Sequence, residues 1–330
     1  MKIAVYGAGA VGGLMAARLA AIDGAARPEV SVIARGATLA ALRSHGMRVQ
    51  EADRLRTVPL RAEEEPAALG IQDVVIVAVK ATALANVAAR IAPLVGPDTL
   101  VVTAMNGVPW WFFDHPSLPF AGTRLRSLDP DGVLPKAMPT RQVIGCVVHL
   151  SSTSPEPGMV RPGFGNRLII GEPAGGMSAR LERLALLLRD AGFDVETSAD
   201  IRTDIWYKLW GNMTMNPLSA ITGATCDRLL DDPLVRSFCL AAMREAADIG
   251  AKIGCPITQS GEDRMAVTRK LGAFKTSMLQ DAEAGKALEI DALVTAVQEI
   301  GEMAGVATPT IDGLLGLVRV YARTRGLYGA

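Results

Sequence analysis

Residues 2–20 read "KIAVYGAGAVGGLMAARLA", and the fold of the whole chain turns on how they are read. Ile3 to Tyr6 form a short apolar run of strand type. A glycine turn follows, and then a helical stretch carrying Leu14, Arg18 and several alanines. The pattern Gly7-x-Gly9-x-x-Gly12 falls at the strand-to-helix junction, where each glycine has a physical use. Gly7 permits the tight turn, Gly9 lets a pyrophosphate approach the backbone, and Gly12 lets helix and strand pack closely. The first helical N–H groups then face the phosphates. Gly7, Ala8, Gly9, Ala10, Val11 and Gly12 are therefore the expected phosphate-binding residues of a dinucleotide-binding unit. A lysine followed by apolar and small residues also imitates a secretory signal, but four glycines would weaken a signal helix and a second strand-like run follows at once.

That second run, "EVSVIARG" (29–36), ends at Arg35. NAD-preferring members of this architecture place an acidic residue about 20 positions beyond the glycines, against the ribose 2′-hydroxyl. Here the place is taken by Arg35, whose guanidinium suits a 2′-phosphate, so NADP (NADPH) is the expected cofactor. A solvated arginine at a strand end is the alternative. "DVVIVAVKA" (73–81) and "TLVVTAMNG" (99–107) are continuous apolar runs, as expected of central parallel strands covered on both faces. They carry Lys80 and Asn106 to the carboxyl edge, where ligands of such sheets bind. "VIGCVVHLSS" (143–152) and "NRLIIGEP" (166–173) look like two further strands suited to an antiparallel edge. The proline-rich segment 108–142 starts with Trp110, Trp111, Phe112 and Phe113. It is too long for a bare connector and reads as a lid or binding wall.

Composition narrows the function classes. The 330 residues are 49% hydrophobic and 21% charged, with 34 basic and 34 acidic side chains, which suits a soluble globular chain with no nucleic-acid footprint. No apolar run reaches membrane-spanning length. Cys146, Cys226, Cys239 and Cys255 lie far apart without metal-ligand spacing, so they are expected as reduced thiols of a cytoplasmic protein, with no metal site.

After a helix and a short strand in 178–201, strand patterns cease. Helices are expected at 201–216, 232–254, 258–272, 287–305 and 309–324, and the domain boundary near residue 198, giving domains 1–198 and 199–330. Within "WYKLWGNMTMNP" (206–217), Lys208, Asn212 and Asn216 fall at about 0°, 40° and 80° on a helical wheel. The rest of the wheel is nearly uncharged, so the helix is expected to be enclosed and its polar stripe to face partners inside or a substrate cleft, with Pro217 ending the helix. A structural hydrogen-bond network is one account of the stripe. A partly desolvated lysine acting as proton donor beside orienting asparagines is the other. Ser277 and Glu289 flank a glycine bend at Gly285 in "KTSMLQDAEAGKALEID" (275–291), and the bend could bring them to one pocket.

Together, "GAGAVG", "AVKA" (78–81), "MNGV" (105–108), "KLWGNMTMNPLSA" (208–220) and residues 275–291 resemble the ketopantoate reductase family, 2-dehydropantoate 2-reductases, over nearly the whole chain. The resemblance implies an α/β fold in which an N-terminal Rossmann-type doubly wound sheet precedes an all-α C-terminal domain of the 6-phosphogluconate dehydrogenase type. It implies NADPH-dependent reduction of a 2-keto acid, 2-dehydropantoate to (R)-pantoate in pantothenate biosynthesis. By the same resemblance Lys208 donates the proton and Glu289 contacts cofactor or substrate and helps position Lys208. Asn106 touches nicotinamide and substrate with Lys80 nearby, and Asn212, Asn216 and Ser277 bind the substrate. Two departures point to a related 2-keto or hydroxy acid as the alternative: Cys226 stands where the family commonly has asparagine, and segment 108–142 is long. A non-catalytic NADPH-binding regulator is the reading from another class. The expected partner is a small 2-keto acid, without nucleic acid or membrane, and a homodimer is left open.

Overall fold

The computed structural model describes residues 1–24 and 27–329. Twelve strands are formed by the described residues: β1 (Lys2–Tyr6), β2 (Glu29–Ile33), β3 (Met47–Glu51), β4 (Arg54–Val58), β5 (Arg61–Glu63), β6 (Gln72–Val77), β7 (Val95–Ala104), β8 (Val143–His149), β9 (Ser152–Thr153), β10 (Met159–Pro162), β11 (Arg167–Gly171) and β12 (Asp194–Ser198). The α-helices are α1 (Ala10–Ala20), α2 (Gly36–His45), α3 (Leu84–Arg90), α4 (Leu134–Ala137), α5 (Ala179–Asp190), α6 (Ile201–Thr222), α7 (Cys226–Asp231), α8 (Pro233–Lys252), α9 (Gly261–Arg269), α10 (Ser277–Glu283), α11 (Ala296–Ala304) and α12 (Pro309–Arg323). None of the described helices is long and apolar enough to cross a membrane.

Contacts divide the chain into two units, Met1–Met105 with Gly132–Ile201, and Asn106–Asp131 with Arg202–Ala330. The first unit holds an eight-stranded sheet in the order β12-β11-β8-β7-β6-β1-β2-β5. From β5 to β8 all pairs are parallel, β11 is antiparallel to β8, and β12 is parallel to β11. The doubly wound sheet expected from the N-terminal motif is present, and the edge is β12 rather than the 166–173 strand. Val74 to Val77 and Ile3 to Val5 are at most 3% exposed, which is why their sequences run apolar without alternation. The chain leaves β1 toward β2 on one side and returns with β6 on the other, so the ends of β1 and β6 mark a topological switch point.

A second, four-stranded sheet, β4-β3-β10-β9, packs on α1. Its strands are short and charged, with most of β4 exposed, so no apolar pattern announced it. Gly13 on α1 admits it: a Cβ there would lie 2.8 Å from Met47 Cε and 2.9 Å from Val160 Cγ1.

The second unit is helical, α6 to α12, and it also contains residues 106–131. Trp111, Phe112 and Phe113 are at most 1% exposed and Trp110 8%. The aromatic run is thus core of the helical unit, not the lid or binding wall expected from its length. Arg202, in the first turn of α6 and 3% exposed, holds it in place: Nε donates to the Phe112 carbonyl at 2.7 Å and an Nη to the Ile253 carbonyl at 3.0 Å. The same guanidinium lies 4.6 Å from the Phe112 ring centroid. A single boundary near residue 198 therefore does not describe the division, because residues 106–131 belong with the helices.

Candidate active site

The first unit holds a candidate nucleotide-binding turn of its own. Gly7 follows β1 at φ +105°, and a Cβ on it would meet the Ala78 carbonyl oxygen and Val79 Cγ1, each at 2.7 Å. Glycine is required there by conformation and by contact with the end of β6. A Cβ on Gly12 would lie 2.0 Å from the Gly7 carbonyl oxygen, so α1 packs on its own turn only because that residue has no side chain. Gly9 is different: a Cβ would meet nothing within 4 Å, which leaves its backbone open to approach. Ala8 is buried, whereas Ala10 and Val11 are half-buried at the start of α1. No side chain caps α1 and no acid lies in its first turn. Donors from the backbone and the positive end of the helix dipole suit a pyrophosphate, so these residues fit a dinucleotide.

Arg35 is exposed at the end of β2, just before α2, whose first turn is also free of acids. β5 pairs with β2 and sets Glu63 opposite Ile33, an acid that the sequence did not bring to this edge. Its carboxylate is engaged by Arg61 at 3.2 Å and Arg43 at 2.9 Å, and the hydrogen bond from Arg61, with that from Arg43, holds it below the usual carboxylate range. Arg43 and Arg61 are thus engaged by Glu63, and the neighbouring Glu65 pairs with Arg90 at 2.8 Å, which leaves Arg35 as the exposed cation at the end of β2. Lys80 is half-buried two residues past Ala78, where its carbonyl accepts from Ala83 N at 2.9 Å. β6 ends at Val77 and β7 at Ala104, so Lys80 and Asn106 lie beyond the strands rather than as their last residues.

The helical unit holds the polar stripe, and α6 is enclosed as its wheel predicts. Trp206, Leu209, Trp210, Met213 and Thr214 are at most 2% exposed. Lys208 and Asn212 are half-buried and Asn216 is buried. Pro217 does not end α6, which continues to Thr222. Proline removes one backbone donor, and the following turn holds through Gly223 N on the Ser219 carbonyl at 2.9 Å and Ser219 Oγ on the Ala224 carbonyl at 2.6 Å.

Lys208 Nζ donates to Asn106 Oδ1 at 2.7 Å. What brings Asn106 there is the neighbouring Gly107, at φ +83°, where a Cβ would lie 2.4 Å from the Ala292 carbonyl oxygen. That same oxygen accepts from Val108 N at 3.0 Å. Ala292 sits in a π-type turn, Asp291–Thr295, two residues past Glu289, and such turns often occur at functional sites. Glu289 is half-buried just ahead of this turn. Further along α6, Asn216 Nδ2 donates to Ser277 Oγ at 3.5 Å, at the start of α10. Asn212 makes no side-chain hydrogen bond among the described residues. Cys226 is buried at the start of α7, and burial pushes its thiol up to about 11, so it stays protonated.

A family model described as "Ketopantoate reductase PanE/ApbA" matches residues 3–175, and one described as "Ketopantoate reductase PanE/ApbA C terminal" matches residues 200–322. The chain belongs to the ketopantoate reductase family. A curated 2-dehydropantoate 2-reductase from Mesorhizobium japonicum is 43% identical over 328 residues, 99% of this chain and 100% of that one. A crystal structure of a candidate ketopantoate reductase from Ralstonia solanacearum MolK2 is 61% identical, with a TM-score of 0.95 and 99% of each chain covered. That of 2-dehydropantoate 2-reductase from Geobacter metallireducens GS-15 is 27% identical, with a TM-score of 0.84 over 97% of this chain and 100% of that one. Ketopantoate reductases are nicotinamide-dependent oxidoreductases, and this chain has both halves of that architecture. Sequence reasoning assigned no role to Gly107, although its "NG" dipeptide was the available signal.

Proposed function

We propose that this ketopantoate reductase homologue reduces 2-dehydropantoate to (R)-pantoate with NADPH, in the cytoplasm as a step of pantothenate biosynthesis. The carrying observation is the Lys208–Asn106 hydrogen bond on an otherwise apolar, enclosed helix. An ammonium group there is directed by its acceptor and shielded from most of the solvent, which suits a group that gives up a proton. The nicotinamide, when bound, supplies the hydride to the keto carbon. Lys208 gives its proton to the keto oxygen as charge develops, and its positive charge stabilises that oxygen beforehand. Asn106 holds Lys208 in one orientation and is a candidate contact to nicotinamide and substrate. Asn212, Asn216 and Ser277 offer amide and hydroxyl groups to the substrate's hydroxyl and carboxylate. Glu289, ahead of the π-type turn, contacts cofactor or substrate and helps position Lys208.

Gly7, Ala8, Gly9, Ala10, Val11 and Gly12 would hold the pyrophosphate, with Lys80 nearby, and Arg35 would hold the ribose 2′-phosphate. The exposure of Arg35 at the end of β2, with no acid in the first turn of α2, supports that preference. The curated relative's name supports the substrate. The test is NADPH oxidation with 2-dehydropantoate beside a panel of other 2-keto acids. The expected result is highest kcat/KM on 2-dehydropantoate. Higher kcat/KM on another 2-keto acid would move the assignment to that substrate, and activity on none would reject it.

A further inference from the structure

Helix α9 carries a cation that the proposed reaction has not used. Arg264 reaches across to α6 and lies flat on Gly211. A Cβ at 211 would meet Nη2 at 2.8 Å, Cζ at 3.1 Å and Nε at 3.2 Å, so only glycine lets the fork approach the helix this closely. Tyr207, one turn earlier, presents its ring 5.3 Å from Cζ, and its hydroxyl is fixed by Gln259 Oε1 at 2.5 Å. Residues three and four apart are neighbours on a helix surface, so Gly211 adjoins both Tyr207 and Lys208. The guanidinium therefore rests on the Lys208 flank of the polar stripe, on the side away from Asn212 and Asn216.

Its own partners are few. Arg264 is half-buried, its Nε is buried with no hydrogen-bond partner, and among the described residues it makes no ion pair. Burial lowers its affinity for a proton, and among the described residues the nearby Tyr207 hydroxyl acts the other way. A desolvated cation with no counter-ion is costly, and a planar fork is suited to bidentate contact with a carboxylate. The rest of the proposed substrate wall offers neutral amides and a hydroxyl beside Lys208, which the reaction needs for the keto oxygen.

We infer that Arg264 is a specificity-determining residue that adds a charged contact to a carboxylate of the 2-keto acid substrate, beside the neutral groups already assigned to it, on a seat made by Gly211 and Tyr207. The inference rests on the reductase reading. Tyr207, whose hydroxyl is held by Gln259, flanks the fork, and Gly211 lets it sit close over α6.

The test compares wild type with Arg264→Met, Arg264→Lys and Gly211→Ala, the last of which keeps the charge and displaces the fork. The measurements are KM and kcat with 2-dehydropantoate, with its 1-carboxamide and with a 2-keto dicarboxylate, the KM for NADPH, and calorimetric binding of 2-dehydropantoate. Loss of a charge-assisted contact is expected to raise the keto-acid KM and dissociation constant about 10- to 100-fold in Arg264→Met. The rise should be smaller in Arg264→Lys and intermediate in Gly211→Ala, with the carboxamide KM and the NADPH KM unchanged. A preferential loss on the dicarboxylate would assign the contact to the distal carboxylate, and an equal loss on both acids to the 1-carboxylate. The inference is overturned if the acid and its carboxamide lose equally, or if the keto-acid KM moves less than about threefold in Arg264→Met while wild type is active. A wild type inactive on every 2-keto acid would instead reject the reductase reading and take this inference with it.

Discussion

Lys208 and Asn106 are 102 positions apart in the chain, yet a single hydrogen bond joins them because Gly107 can adopt a backbone that side chains resist. Replacing Lys208 with alanine removes the proposed proton donor and leaves the glycine turn untouched. The expected outcome is a kcat lower by about 10²- to 10⁴-fold, with NADPH binding by fluorescence titration unchanged. Undiminished turnover would refute the role given to this lysine. At Arg35, removal of the proposed charge-assisted contact to the 2′-phosphate should raise the KM for NADPH about 10- to 100-fold in Arg35→Ala and leave that for NADH nearly constant. Parallel losses with both cofactors would count against a 2′-phosphate contact. The stripe of Lys208, Asn212 and Asn216 was legible because its spacing isolates it on an apolar helix. Arg264 was not, since "GEDRMAVTRK" has the composition of a solvated surface helix and only the seat on Gly211 reveals otherwise.

Between elements, two junctions can be tested. Gly107→Ala places a Cβ against the π-type turn at a backbone angle of +83°, and about 1–3 kcal/mol of destabilisation is expected, with a lower kcat because Asn106 shifts. A variant as stable and active as wild type would show that the turn yields freely. At the end of β11, Glu172 is buried and joins that strand to the start of α5 through Ser178 Oγ at 2.5 Å and Arg180 Nε at 2.8 Å. Burial alone would raise its pKa, but the hydrogen bonds from Arg180 and Ser178 outweigh it and hold the carboxyl below its ordinary value. Its stabilisation is therefore complete above the unfolded carboxyl value and is lost as pH falls through the lower folded value. Glu172→Gln should cost about 1–3 kcal/mol at neutral pH, and the difference from wild type should shrink as urea titrations are repeated down through the acid range. A difference that stays constant with pH would contradict the ionised pair. Most strands and helices announced themselves by period, whereas α7 and α10 are too short to show one, and Pro217 misled because proline's lost donor is tolerated where the next turn is anchored.

Across the whole molecule, the chain passes from the sheet unit into the helical unit, back, and over again at residues 106, 132 and 202. The sequence showed two domains in order and missed this exchange, because nothing in 108–142 states which core its aromatics enter. Their host is decided by Arg202, whose cationic group looks like an ordinary helix-start residue until its contacts with Phe112 are seen. A fragment of residues 1–201 would retain Trp110, Trp111, Phe112 and Phe113 without that host. It should bind a hydrophobic dye and aggregate, and changing the four to serine should suppress both. The same change in the full chain should unfold the helical unit, since each lost buried aromatic costs about 3–5 kcal/mol. A soluble, dye-negative 1–201 fragment would mean that the aromatic run finds burial elsewhere. The exchange also orders events at birth. During translation at about 5–20 residues per second, the run 110–113 leaves the ribosome many seconds before its partners beyond residue 202 have been made. For that interval four large aromatics stay unclaimed on a nascent polypeptide, a natural landing place for chaperones.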